Sequence, residues 1–196
     1  MSEGAGSYRL MRYERLSESG FEFRAVEPSD IEDIRLWRND QMNLLRQSSA
    51  ISRAEQSQYF STHVWPEKSK QQPSQVLLAI ERDGNLIGYG GLVNISWPNR
   101  RAEISFLLDP MLEQCHEERT AAFRAFLSMV KAQAFDEFHL YRLFTETFAN
   151  RQGHIETLEA AGFQREGRMQ KHVVVDGSPV DSLLHGCLAT GALEWR

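Results

Sequence analysis

The chain has few side chains at spacings that could do chemistry. Arg101-Ala-Glu-Ile-Ser-Phe-Leu-Leu-Asp-Pro110 alternates as a strand, with Ala102, Ile104 and Phe106 on one face and Glu103 and Ser105 on the other. Glu103 can take a proton there, or it can be a solvated strand glutamate paired with Arg100 or Arg101. Next, Gln114-Cys115-His116-Glu117-Glu118-Arg119 opens a helix without one glycine. Carboxylates at a helix start favour the helix without any ligand. Cys115 stands where thiol pKa values fall, yet no orienting partner is visible, and it reads as a chance thiol. The 6 His show no HxH, HExxH or CxxC-type pattern, so no metal site is expected. Arg38 and Arg46 could pair with a phosphate or carboxylate. Trp37, Trp65, Tyr89 and Trp97 could line a pocket, though packing is the commoner role of such residues.

These residues need a scaffold, and composition bounds it. A chain of 196 residues suggests one domain with a substantial core. A formal net charge of -5 argues against a nucleic-acid partner. Two cysteines, Cys115 and Cys187, are too few for a disulfide framework and suit a reduced cytoplasmic setting. No apolar run approaches the roughly 20 residues of a membrane span, so no membrane partner is expected. Residues 1–19 are polar, with Gly and Ser and without the apolar core of a secretion signal. They are expected to form a flexible tail before a single domain over 20–196.

Periodicity supplies the elements. Strand patterns cover 20–26, 76–81, 86–95, 102–108, 140–148, 169–175 and 180–188. Asp83-Gly84 and Asp176-Gly177 are hairpin turns, and Trp97-Pro98-Asn99 turns again. A first helix opens at Pro28-Ser29-Asp30, with Ser29 or Asp30 as cap and Ile31, Ile34 and Trp37 at helical spacing. A second covers 52–65, with Ser52 and Glu55 as a capping box. A third covers 120–135, striped by Phe123, Phe126, Val130 and Ala134. A fourth starts near Asn150, covers 154–161 and stops at Gly162. The order is strand, two helices, three strands, helix, strand, helix, two strands: a mixed α/β fold around one sheet.

That order and several motifs resemble the GNAT superfamily of N-acyltransferases, above all its branch of RimJ- and RimL-like enzymes and amino-sugar N-acetyltransferases. The matching residues are Phe23-Arg24-Ala25-Val26 with Asp30, then Leu36-Trp37-Arg38-Asn39, Ile87-Gly88-Tyr89-Gly90-Gly91, Ala102-Glu103-Ile104 and Asp109-Pro110. They continue with Asn150, Leu158-Glu159-Ala160-Ala161-Gly162-Phe163, Glu166-Gly167, Asp176-Gly177 and Val180-Asp181-Ser182-Leu183-Leu184. No single motif is specific; their order over nearly the whole chain is.

The resemblance implies a GNAT fold in which two neighbouring strands, here 102–108 and 140–148, splay apart. Their unpaired backbone groups would bind the pantetheine arm of acetyl-CoA or another acyl-CoA as an added strand, with Phe106, Leu107 and Leu108 presenting the groups. Gln114, His116, Arg119, Thr120 and Asn150 would hold the rest of the cofactor. Glu103 matches a position that serves some members as base. The Tyr that serves many as acid is Leu158 here, and the family's Ser in the preceding turn is His154, which could donate a proton instead. The family's turn after the first of these strands carries glycines that let backbone approach the pyrophosphate. Here Glu117 and Arg119 occupy those positions, and Glu113, Glu117 and Glu118 put three carboxylates near an expected dianion. Asn150 also stands one residue further from Gly162 than the pattern has it. The implied activity is acyl transfer from coenzyme A to a primary amine. The acceptor would be an amino sugar on a nucleotide, met by Trp37, Arg38 and Tyr89, or else a protein N-terminus. The altered turn and Leu158 leave open a second class: a binding or regulatory domain that kept the fold and lost the cofactor. A homodimer is compatible with either.

Overall fold

A computed structural model describes residues 6–190; residues 1–5 of the expected tail and 191–196 of the expected domain lie outside the described residues. Eight strands form one sheet in the order β1-β2-β3-β4-β5-β6-β8-β7. They are β1 (Arg15–Glu18), β2 (Phe21–Ala25), β3 (Val76–Arg82), β4 (Asn85–Ser96), β5 (Arg101–Leu108), β6 (Arg142–Phe148), β7 (Gln164–Val175) and β8 (Ser178–Leu188). Only β5 and β6 are parallel; the other neighbours are antiparallel. The helices are α1 (Ile31–Asp40), α2 (Arg53–Tyr59), α3 (Pro110–Gln114), α4 (His116–Ala132) and α5 (Gln152–Ala160). Among the described residues no helix is long and apolar enough to cross a membrane.

Each face of the sheet carries its own core because strand side chains alternate. Phe23, Leu78, Ile80 and Ile104 face one way and pack with Phe123, Phe126 and Val130 of α4 and Leu158 of α5. Leu77, Ala79, Tyr89 and Leu107 face the other way and pack with Ile34 and Trp37 of α1 and Phe60. The sheet must let backbones come close at Gly91, whose φ is +141° and whose added Cβ would lie 2.0 Å from the Val76 carbonyl oxygen.

Several expectations change. The polar start is not a tail over its described part. Tyr8 is buried, and its hydroxyl accepts a hydrogen bond from the Leu77 N–H at 3.0 Å. Lys68 Nζ donates to the carbonyls of Gly6 and Val26, and β1 adds itself to β2. One aromatic anchor decides this, and composition hides it. Asp30 stands at the α1 cap position, but its carboxylate accepts from Arg24 at 2.7 and 2.9 Å and from the Glu27 N–H at 2.7 Å, not from the helix. The capping box of Ser52 and Glu55 forms as expected. The helix expected over 52–65 instead widens to a π turn at Phe60–Val64 and tightens to a 3₁₀ turn at Trp65–Ser69. Pro66 has no N–H to continue an α ladder. The stripe on the third expected helix is buried as expected, but α4 begins at His116. A separate α3 precedes it, opened by Pro110 at its first position and by Asp109, which accepts from the Met111 N–H at 2.7 Å.

Gly91→Ala should unfold at lower urea, with a loss above about 3 kcal/mol, since both the backbone conformation and the contact with Val76 forbid a side chain. A midpoint within error of wild type would show that β3 and β4 can yield there.

Candidate active site

Strands β5 and β6 pair only at their starts, Arg101 with Arg142, Ala102 with Leu143 and Glu103 with Phe144. Beyond Glu103 they part. Each keeps its other neighbour: Ser105 to Leu108 stay paired with β4, and Thr145 to Phe148 with β8. Their facing edges therefore carry peptide groups without a strand partner, which need hydrogen bonds from something else. The cleft between them holds about 120 Å³ and is lined by Glu103, Ile104, Ser105 and Phe106 from β5 and by Thr145 to Phe148 from β6.

The opening lies closer to Glu103 than the resemblance implied. Phe106 lines it, packed on Phe123 and Phe126 with ring centroids 4.6 and 5.0 Å away. Leu107 is buried in the core under α1, and the Leu108 carbonyl already accepts from Gln41 Nε2 at 2.7 Å. The Leu108 carbonyl is withdrawn because the turn after α1 covers that end of β5.

Glu103 is a buried carboxylate at the cleft edge. Its partners are neither Arg100, which donates to the His139 carbonyl, nor Arg101, which lies over the Phe144 ring. They are Arg46, from the turn after α1, and Asn94, whose Nδ2 donates to Oε2 at 2.8 Å. Asn94 sits at φ +50° in an irregularity where the β4–β5 register shifts between Val93 and Ser96. Such a bulge re-aims a side chain, here onto Glu103. Arg46, expected to meet an acceptor anion, is already taken.

On the other wall His154 is buried, stacked on Phe123 at 3.9 Å, and its Nδ1 has no partner. Burial, and then the charges of Arg151 and Arg119, push its pKa well below the usual imidazole range. The ring is neutral near pH 7, which removes the imidazolium acid that the sequence suggested. Leu158 lies fully in the core.

The glycine-free turn is less hostile to anions than its composition. Glu113 is paired with Arg151 at 3.0 Å, both largely buried, and Glu118 is paired with Arg82. Glu117 is exposed, turned away from this compensation. Arg119 donates to the Glu113 carbonyl at 2.9 Å and lies 2.9 Å from His116 Nδ1. The small residue that this arrangement needs is Gly153, on the facing helix: a Cβ there would come within 2.9 Å of Arg119 Nη2. Arg119, Asn150, Arg151 and Gly153 line a second cleft of about 350 Å³, beside the first turn of α4. Gln114 and His116 are exposed at the turn, and Thr120 Oγ1 is buried without a partner.

A third chamber of about 400 Å³ opens on the opposite face of the sheet, lined by Arg38, Tyr59, Tyr89 and Ser105 among others. Arg38 Nη1 donates to the Tyr89 hydroxyl at 2.8 Å and Nε to Gln47. Trp37 packs in the core under α1 and does not line this chamber. Val93 and Ser105 border both this chamber and the cleft, and Leu44, Arg151 and His154 border both the cleft and the Arg119 side. The three cavities thus adjoin in a row, from the Arg38 chamber past the cleft at Glu103 to the Arg119 side. Sequence reasoning missed Asn94, Glu146 and Arg151. Glu146 had a signal, since it shares one face of β6 with Phe144 and Phe148.

The family model for the acetyltransferase (GNAT) domain matches residues 23–184. Comparison with curated protein sequences yields no match. Among solved structures, a spermidine N-acetyltransferase from Vibrio cholerae, in complex with CoA and spermine, superposes with a TM-score of 0.74 at 20% identity, over 87% of this chain and 96% of its own. A dodecameric spermidine N-acetyltransferase structure from the same organism, in an intermediate state, gives 0.73 at 18% identity, over 87% and 94%. At such identities the likeness establishes the fold.

The buried histidine makes a pH prediction. With its folded pKa below the unfolded value near 6.5, the unfolded chain binds the proton first, so stability falls as pH drops below about 6.5, by at most about 1.4 kcal/mol per pH unit. Urea unfolding at pH 7.5 and 5.5 should show this decline in the wild type and a smaller one in His154→Phe. Equal declines would assign the effect to other groups.

Proposed function

Since the chain belongs to the GNAT acetyltransferase family, whose model spans most of it, we propose that the three adjoining cavities form its reaction channel: acetyl-CoA enters from the Arg119 side and a primary amine from the Arg38 side. The parted strands carry this reading. Their free edges suit the amides of a pantetheine arm, which hydrogen-bond as a short added strand. A backbone N–H of β5 would then face the thioester carbonyl and stabilise the oxyanion as the amine attacks. Arg119 and Asn150, with the first-turn N–H groups of α4, are the groups for the pyrophosphate, while Arg151 offsets Glu113 beside them. They replace a glycine-lined backbone cradle by side-chain charge, with His116, Gln114 and Thr120 at its rim.

Glu103 takes the proton from the ammonium, which frees the lone pair. The nitrogen–carbonyl bond forms and the carbon–sulfur bond breaks; the nitrogen then gives up a second proton to solvent, and the leaving thiolate of coenzyme A takes one from solvent in return. We assign His154 to the cleft wall, since a neutral buried imidazole is a poor acid. For the acceptor, an amino sugar on a nucleotide is the reading that Arg38 supports best. Its partners are a hydroxyl and an amide, not a carboxylate, so its charge remains for a phosphate, beside the rings of Tyr59 and Tyr89. A protein N-terminus is the next candidate within the same chemistry.

Isothermal titration should show binding of CoA and of acetyl-CoA, weakened about tenfold in Arg119→Ala, the effect of one charge-assisted contact. Glu103→Gln should keep acetyl-CoA affinity and lose about 10²–10⁴-fold in kcat over a panel of primary amines. No heat with either form of the cofactor would overturn the reading.

A further inference from the structure

Glu146 is a largely buried carboxylate without a task in the scheme above. It lies on β6 two residues beyond Phe144, so it points to the same face as Glu103, across the gap. The two side chains keep only 9% and 11% of their exposure, while the Arg46 side chain that bridges them keeps 56%. Arg46 Nη2 donates to Glu103 Oε1, and Nη1 to Glu146 Oε2 at 3.2 Å. Glu146 Oε1 is shut off from solvent without a hydrogen bond; His172 Nε2 stands 3.9 Å away, beyond hydrogen-bond reach. Thr147 Oγ1 and His154 Nδ1, in residues 3% and 7% exposed that line the same cleft, also have no partner. The cleft therefore holds polar atoms open to hydrogen bonds from water or from another occupant.

Two carboxylates facing each other in a desolvated cleft need a cation between them. Arg46 supplies one from the outside, on a side chain more than half in water. An alkylammonium has three donors for the same oxygens, Glu146 Oε1 included. We propose that Glu103 and Glu146 form a receptor for the acceptor's ammonium group and that Arg46 holds its place until the acceptor displaces it. Glu146 is then a positioning residue for the amine, and Arg46 masks the base in the resting enzyme. The proposal rests on the acyl-transfer reading for its biological meaning, but cation binding can be measured without turnover.

The probes are n-butylammonium and ethylguanidinium, titrated by calorimetry at pH 7.5, with circular dichroism to verify folding. Arg46→Ala should bind both at least about tenfold more tightly than wild type, and Arg46→Ala/Glu146→Gln should lose that gain. Arg46→Met, which keeps the stem, gives a second variant if the alanine variant folds poorly. In assays with any amine that turns over, Glu146→Gln should raise the acceptor KM about tenfold and leave the acetyl-CoA KM unchanged, and Arg46→Ala should lower the acceptor KM. No gain of probe affinity on removing Arg46, or an unchanged acceptor KM in Glu146→Gln, overturns the proposal. Probe binding without acetyl-CoA binding would sink the transferase reading and leave the receptor standing. Acetyl-CoA binding without probe binding would do the reverse.

Discussion

Two neighbouring strands that stop pairing after three residues organise everything else in this molecule. Backbone N–H and C=O groups in a cleft are not optional bonders, so an edge left open on both sides is a binding surface by construction. Here the opening is built in on both sides. At its base, the N–H groups of Tyr141 and Arg142 bond to the Arg100 carbonyl and fix where β6 joins β5. Beyond Glu103, the Phe106, Phe123 and His154 rings stack along the wall, while β4 and β8 keep the outer edges satisfied. The parted strands are thus held along their outer edges, which leaves the gap between them open to a thin ligand arm.

The second constraint is electrostatic. A turn with three glutamates ought to repel a dianion, and it would if all three stood free. The fold places an arginine against two of them, Arg151 on Glu113 and Arg82 on Glu118. It also moves the demand for a small residue from the turn itself to Gly153 on the opposite helix, so that Arg119 can lie across it. If the pyrophosphate binds here as proposed, close backbone approach would be exchanged for side-chain charge. A backbone cradle resists mutation and tunes poorly; a side-chain cradle can be altered one residue at a time.

The sequence carried the architecture and the strand carboxylate Glu103 but not its surroundings. Alternation and turn chemistry located most strands and the hairpins, because those signals act over two to four residues. The capping box at Ser52 is of the same kind. Glu103 was legible as a strand carboxylate, but its partner was not. Arg46 lies 57 residues away, and the nearer Arg100 and Arg101 are drawn off by a carbonyl and a ring. The anchoring of Tyr8 under Leu77 and the rescue of the turn by Gly153 fail to show for the same reason. Both are long-range contacts, made by single residues with no local pattern. His154 inverted its expected character: the histidine that could have donated a proton is stacked on Phe123, and burial sets its protonation.

The arrangement around Glu103 also answers a difficulty that any buried base meets. A carboxylate desolvated enough to be strongly attracted to an ammonium is costly to keep charged when no ammonium is there. Under the receptor proposal, Arg46 resolves this by exchange. The cleft would hold one cation at a time, from its own chain or from the acceptor, so the charge in the cleft would change little on binding. The arginine's exposed stem loses little when it swings back to water. A neutral acceptor would have to remove that cation and leave two carboxylates facing each other uncompensated, and discrimination against it follows from that penalty. The same exchange would make selection for charged amines a property of β5 and β6, independent of the Arg38 chamber that reads the rest of the acceptor.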